Sequence, residues 1–570
     1  MRAELSFLLA VLVISKDFSA AFATLTTGAS TGIPSTTAAL TSNSAVSTVV
    51  TTPTGFPPVG SIPRDYSSEG LERLWDMVGS VEPPPFTTTR VPTASVTLPP
   101  SPPPLYPSFY APAPKDILPG LKFPNGFLFG VDTAAYQVEG ATKNDGKGPT
   151  TWDWASRQPN AIADNTTGKT STSDVVDLQY FLYKEDIMRS AALGVKAHSF
   201  SISWARIFPF GTADSPLNPV GIAHYSDGTS FKYLELIDYH LAHGIEPVVT
   251  LFHWDVPLAL QSFYGGFTSP NIVDDYVNYA KTIFKAFNGR VKTCEFLKRY
   301  VAAFREMGIS GEIALKNDDY VGTPWRSNST EDPLAVERHA AFQIGVFSDP
   351  IYTTGDWPTI LTDTLSPEYL PRFTEDEKKD ILGSADFYAI DCYRSQFIRA
   401  PPEGIDACVA NTSHPLWPVC NDPVFYDSGY GWAEGPSADP LSSWLQATPV
   451  NVRGELNELH KRWPTNKLYV SEIGFAEPFE SEWTDMFRIM EDVARTNYFL
   501  TYLGEILLSI HEDGVPIQGT FAWAMIDNAE WADGLSARFG IQYVNYTTLE
   551  RTFKRSALSL SEFFGSHLQN

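Results

Sequence analysis

From about Asp116 to the C-terminus, short apolar runs alternate with longer stretches whose apolar residues recur every three or four positions. "GFLFGVDTAAYQ", "AHSFSISW" and "EPVVTLFHW" are continuous runs of the kind that parallel strands show when both faces are buried. "YFLYKEDIMRSAALGV", "SFKYLELIDYHLAHGI" and "NIVDDYVNYAKTIFKAFNG" have helical spacing and lie between or beside them. Later runs, "GEIALKN", "ADFYAIDCY", "KLYVSEIGF" and "IQGTFAWAMID", each follow a helical stretch. Strand–helix units repeated over residues 116–570 predict an α/β fold, a (β/α)₈ TIM barrel rather than an open doubly wound sheet. No glycine fingerprint for a dinucleotide and no phosphate-binding loop follows any strand, so no cofactor is implied.

The N-terminal part has a different texture. Arg2 precedes the apolar run Leu5 to Ile14, and Ala21-Phe22-Ala23 closes it, which predicts a secretory signal peptide over residues 1–23. The run is too short to span a bilayer. Residues 24–115 are rich in Ser, Thr and Pro, too poor in apolar surface to offset the entropy of ordering. They predict a disordered, O-glycosylated stalk. Within it, residues 68–80 place Leu71, Leu74, Trp75 and Val78 at helical spacing. Two readings stay open there, a helix that docks on the folded part and a transient helix in a disordered tail.

Charge and cysteines narrow the destination. The chain carries 41 basic and 66 acidic residues, a net charge of −25. That field repels phosphate backbones and anionic lipid, so neither nucleic acid nor membrane is an expected partner. The cysteines show no metal-ligand spacing. Cys408 and Cys420 are candidates for a loop disulfide. Acceptor motifs for N-glycosylation at Asn165, Asn328, Asn411 and Asn545 fit an extracellular protein.

The polar residues of the barrel fall at strand ends: Gln137, His253 with Trp254, Tyr393, Glu472, and Trp523 with Asp527. In a barrel those ends form the rim where active sites are built. Flat indole rings stack on sugar faces, while Gln, His and Glu hydrogen-bond vicinal hydroxyls. A neutral polyhydroxylated ligand is the reading that follows.

Here the motifs become familiar. "FPNGFLFGVDTAAYQVEGA", "FSISWARIFP", "GIEPVVTLFHWDVPLAL", "YVSEIGF" and "FAWAMIDNAEWADGLSARFGIQYVNY" resemble glycoside hydrolase family 1, the retaining β-glucosidases and their relatives, from about Leu121 to Phe564. The resemblance implies a terminal β-glucoside or a short β-linked oligosaccharide as substrate. It implies Glu472 as nucleophile and Tyr393 as its hydrogen-bonding partner. It further implies Gln137, His253, Trp254, Glu530 and Trp531 as contacts to the sugar hydroxyls. Trp523 is then the platform under the ring, and Phe539 a neighbour of the primary alcohol.

One part of the pattern is missing. The family carries its acid/base Glu in Thr-Phe-Asn-Glu-Pro on strand four. Here "GRVKT" runs instead into "CEFLKRYVAAFREMGISGEIALKND". Strand four and helix four are expected to be truncated, with "VKTCEF" filling the strand-four slot. Glu295 is the nearest surrogate acid in sequence, although it also reads as a solvated residue starting a helix with Lys298, Arg299 and Arg305. Asp318 and Asp319, after strand five, face the rim as well. Three further departures are Ile473, Asp391 and Ser199, the last standing where an Arg paired with the nucleophile is common. Loss of that Arg raises the nucleophile's pKa unless another cation replaces it. The expected function is a secreted β-glucosidase-like hydrolase. The alternatives are a sugar-binding pseudoenzyme without turnover and an incomplete gene model.

Overall fold

The structure is a computed structural model that describes residues 57–103, 105, 120–159, 161–162, 171–226, 235–287, 289–295, 304–308, 310–427, 429 and 431–569. The expected signal peptide, the stalk over 24–56 and 106–119, and Asn165, Lys298 and Arg299 lie outside the described residues.

Parallel strands β1 (Leu128–Thr133), β2 (Ala197–Ser201), β3 (Glu246–Thr250) and β4 (Thr293–Glu295) are followed by β5, in two pieces, Glu312–Ala314 and Lys316–Asn317. Then come β6 (Tyr388–Asp391), β7 (Leu468–Gly474) and β8 (Ile517–Trp523). The order round the sheet is β5–β4–β3–β2–β1–β8–β7–β6–β5. The first piece of β5 pairs with β4 and the second with β6, so the sheet closes on itself as a barrel. Closure leaves no sheet edge to protect. The interior is tightly filled. The Phe521 ring lies 2.1 Å from where a Cβ on Gly130 would sit, so only glycine is tolerated at that point of β1.

Helix α1 (Ser68–Val78) precedes the barrel. Around the barrel run α2 (Gln179–Ala192), α3 (Leu236–Ala242), α4 (Asn271–Phe287), α5 (Asp332–Ala340), α6 (Pro449–Arg462), α7 (Val493–His511) and α8 (Arg555–His567). α4 shows why they form: Ile272, Tyr276, Tyr279, Ile283 and Phe287 fall on one buried face at three- and four-residue steps. None of the described helices is long and apolar enough to cross a membrane.

β4 is short but complete in its pairing. Thr293, Cys294 and Glu295 pair with Val248, Val249 and Thr250 on one side and with Glu312, Ile313 and Ala314 on the other. Glu295 therefore ends a strand and does not begin a helix, because its backbone is held from both sides. The whole crossover from β4 to β5 lies within residues 296–311, against 251–292 between β3 and β4. Phe304 packs edge-on against Phe284 of α4 at 5.1 Å.

The Ser/Thr/Pro-rich stretch divides. Over 57–103 it lies along the barrel. α1 docks, and the transient-helix reading of residues 68–80 falls away. Ser67 caps it by accepting from Gly70 N at 3.2 Å. Leu74, Trp75 and Val78 bury their side chains against Phe210, Leu258 and Ala259. The Trp75 indole donates to Lys147 O at 3.1 Å. Beyond the helix, Arg90 N donates to Phe181 O at 3.0 Å, an anchor on α2. Cys408 and Cys420 form a disulfide, while Cys392 is a buried free thiol.

Candidate active site

The rim divides into an aromatic side, built on β8, β1 and β3, and a charged side, built on β7, β6 and β5. On the first, β1 runs into the short helix Ala135–Val138, which buries Gln137. Gln137 Nε2 donates to Asn528 Oδ1 at 3.3 Å and to Glu530 Oε2 at 3.4 Å. Trp523 ends β8 and its Nε1 donates to the same Glu530 oxygen at 3.4 Å. Gln137 Oε1 is buried and accepts no hydrogen bond from the protein, so it remains an acceptor for a ligand hydroxyl. Burial pushes the Glu530 carboxyl well above the usual carboxylate range, and the charges of Asp533 and Glu472 push the same way.

His253 follows β3 and lies nearly parallel to both Trp523 and Trp531, each at 5.8 Å. Trp254 stacks on Trp531 at 4.9 Å. Tyr136 stacks on the same indole at 5.8 Å. Burial, with help from Lys316, pushes the His253 imidazole down to about 4, so it is neutral at pH 7. The five rings and the Gln137–Glu530 pair together make an apolar wall with a few fixed polar atoms, the usual anatomy of a small-molecule site.

On the charged side, Glu472 is buried in β7. The Tyr393 hydroxyl donates to Glu472 Oε2 at 2.5 Å. Tyr393 is itself held by Tyr498 and Tyr502, whose hydroxyls both donate to its carbonyl at 2.8 Å. Phe539 meets the Tyr393 ring edge-on at 6.4 Å. Glu472 Oε1 is ion-paired with Lys316 Nζ. The same ammonium reaches Asp132 at 2.8 Å and Asp391 at 3.4 Å. Burial alone drives the Glu472 carboxyl upward. Lys316, with the hydrogen bonds from it and from Tyr393, outweighs it, and the carboxyl lies below its ordinary range. Glu472 is therefore ionised and oriented.

The three departures find their places here. Ser199 lies on β2 beside Asp132, and its buried hydroxyl has no hydrogen-bond partner. The cation lacking there comes from the other side of the barrel, as Lys316 on β5. Asp391 is a further carboxylate on that ammonium. Ile473 turns into the hydrophobic core. Sequence reading missed Lys316, although a signal existed: a basic residue inside the apolar strand "EIALKN", in step with inward Ala314. It placed Asp527 among the rim residues. The structure buries it as the acceptor of Lys554 at 2.7 Å and Arg538 at 2.8 Å, behind the site. Glu295 pairs with Ala314, one inward step deeper than Lys316.

The profile of glycosyl hydrolase family 1 matches residues 120–298 and 297–567, two segments that meet in the shortened β4–β5 crossover. Beta-glucosidase 34 of Oryza sativa subsp. japonica is 34% identical over 487 residues, which are 76% of this chain and 90% of that protein. Beta-glucosidase 1B of Phanerodontia chrysosporium is 32% identical over 498 residues, 78% of this chain and 86% of its own length. The crystal structure of a β-glucosidase from Humicola insolens in complex with glucose superposes with a TM-score of 0.70 at 32% identity, over 79% of this chain and 99% of that one. The chain belongs to glycosyl hydrolase family 1, as a β-glucosidase-like glycoside hydrolase.

Proposed function

We propose that the protein is a secreted β-glucosidase that cleaves terminal β-glucosides with retention, with Glu472 as nucleophile. The observation that carries this reading is the state of Glu472: buried at the rim, ionised, and held by Tyr393 and Lys316. A retaining enzyme needs a carboxylate aimed at the anomeric carbon, to form a glycosyl-enzyme that water later opens. Gln137, His253, Trp254, Glu530 and Trp531 then bond and flank the glucose hydroxyls. Trp523 lies under the ring, and Phe539 closes the end near the primary alcohol. A relative supports the covalent step, since a rice β-glucosidase mutant has been crystallised in a covalent complex with Glc.

The test is a 2-fluoro-glucoside with a good leaving group, followed by mass spectrometry of peptides. The expected result is a fluoroglucosyl adduct on Glu472 and no adduct in Glu472→Ala. Unlabelled protein, or a label elsewhere, contradicts the assignment. Secretion rests on the N-terminal sequence, supported by the disulfide and by acceptor asparagines Asn328 and Asn411 on exposed turns. Processed protein in the medium, beginning at Thr24, is the expected outcome. A second reading, a sugar-binding pseudoenzyme, is favoured by the missing strand-four motif. It predicts glucose binding with no turnover of any glucoside.

A further inference from the structure

The family's acid/base is absent from β4, yet retention needs a second carboxyl about 5–5.5 Å from the first. We propose that Asp318, at the rim end of β5, is the acid/base carboxyl opposite Glu472. The inference rests on the nucleophile reading above.

Three observations carry it. The first is register. Ala314 pairs with Glu295 of β4 and faces the barrel interior with Ala389, and Lys316 faces the same interior to reach Glu472. Ala314 and Lys316 lie two positions apart on the inward face of β5, and Asp318 follows two positions later, just past the strand's end at Asn317. Asp318 thus stands one step above the ammonium that grips the nucleophile, on the strand next to the one that lost its acid. The second is orientation among neighbours. Asp319 turns away, accepting from Tyr320 N at 2.8 Å and lying 3.9 Å from His339 of α5. Asp318 is exposed. The third is charge. Crowding by the cleft walls and the Glu472 carboxylate push the Asp318 carboxyl up to about 6, against the pull of Lys316 and of Arg394 after β6. Two carboxyls driven apart in this way, one low and one raised, are the usual mark of an acid/base and nucleophile pair.

The steps balance without a co-reactant. The Glu472 carboxylate attacks the anomeric carbon while the glycosidic bond breaks, and the leaving oxygen takes the Asp318 proton. The Asp318 carboxylate then takes a proton from water as that water's oxygen attacks the same carbon and frees Glu472. Glucoside and water become glucose and alcohol, and both carboxyls return to their starting forms.

The experiment compares the full-length protein with Asp318→Asn, Asp318→Ala and Glu472→Gln, each checked by thermal melting. The substrates are cellobiose and a dinitrophenyl β-glucoside, with and without azide. Asp318→Asn is expected to lower kcat/KM on cellobiose by about 10²–10⁴-fold. It should leave glycosylation by the activated glucoside nearly unchanged and abolish the basic limb of the pH profile, expected near 6. Azide should speed turnover of Asp318→Ala and yield β-glucosyl azide, a rescue that no merely structural loss would show. Cellobiose activity and a basic limb retained in Asp318→Asn, with activity lost in Glu472→Gln, overturn the Asp318 assignment alone. Activity retained in Glu472→Gln overturns the nucleophile reading, and this proposal with it.

Discussion

The two sides of the rim are built on different principles. The aromatic side hangs on the long strand β8 and its neighbour β1, and its residues hold one another: Trp523 and Gln137 share one oxygen of Glu530. The side facing β4 and β5 has a three-residue strand, and β5 is broken at Leu315. There a single ammonium, Lys316, serves three carboxylates. Among the described residues, the ring cluster and the Gln137–Glu530 pair take no atom from β4. The charge around Glu472 does depend on that quarter of the barrel, and it is met from β5.

The largest effect expected on this comparison is at its centre. Glu472→Ala should lower turnover of an aryl β-glucoside by about 10⁴-fold or more, measured as initial rates, since covalent catalysis loses its nucleophile. Lys316→Met should come next. It leaves Asp132, Asp391 and Glu472 facing one another in a buried site. Removing one partner of a buried ion pair costs about 3–5 kcal/mol, to be read from urea unfolding. The same variant sharpens the charge argument. A carboxyl held below its ordinary value stabilises the fold above that value and loses the contribution as pH falls through the folded pKa. Without Lys316 the Glu472 pKa rises, so the acid limb of kcat/KM should move to higher pH and the acid-side loss of stability should shrink. Unmoved limbs would break the comparison.

Smaller effects lie on the aromatic side. Gln137→Ala removes a donor to Glu530 and a free acceptor. About 1–3 kcal/mol of lost hydrogen bonding corresponds to a roughly ten- to hundredfold fall in kcat/KM for β-glucosides. The acid limb should stay in place, because Gln137 does not act on Glu472. Smallest of all, Trp75→Ala should release α1 from Leu258 and Ala259 and expose residues 57–103 to limited proteolysis, with turnover nearly unchanged. A large loss of activity would make the N-terminal strap part of the site.

Much of this was legible in the sequence, and the reasons are physical. Continuous apolar runs such as "EPVVTLFHW" mark strands buried on both faces, and their C-terminal residues must lie at one rim. Gln137, His253, Glu472 and Trp523 were placed that way, and the structure brings them together. The helix over residues 68–80 was visible in its spacing, but its docking surface was not, because Phe210 and Leu258 lie far off in the chain. Lys316 was missed for the same reason. Its meaning depends on which carboxylates the closed barrel aims at it, and Asp132, Asp391 and Glu472 come from three other strands. Glu295 was left between the end of a shortened strand and the start of a basic helix, and only its pairing with Thr250 and Ala314 decides for the strand. The role of Asp318 depends on register, which becomes available only once β4 and β5 are aligned.

The proposed nucleophilic chemistry, in a barrel without the strand-four acid motif, is read most directly from the hydrolysis of p-nitrophenyl β-glucoside followed by proton NMR, with Glu472→Ala run in parallel. The prediction is β-glucose as the first product, above the level of the variant, followed by slow mutarotation. α-Glucose appearing first, or no glucose above the variant's level, would contradict it.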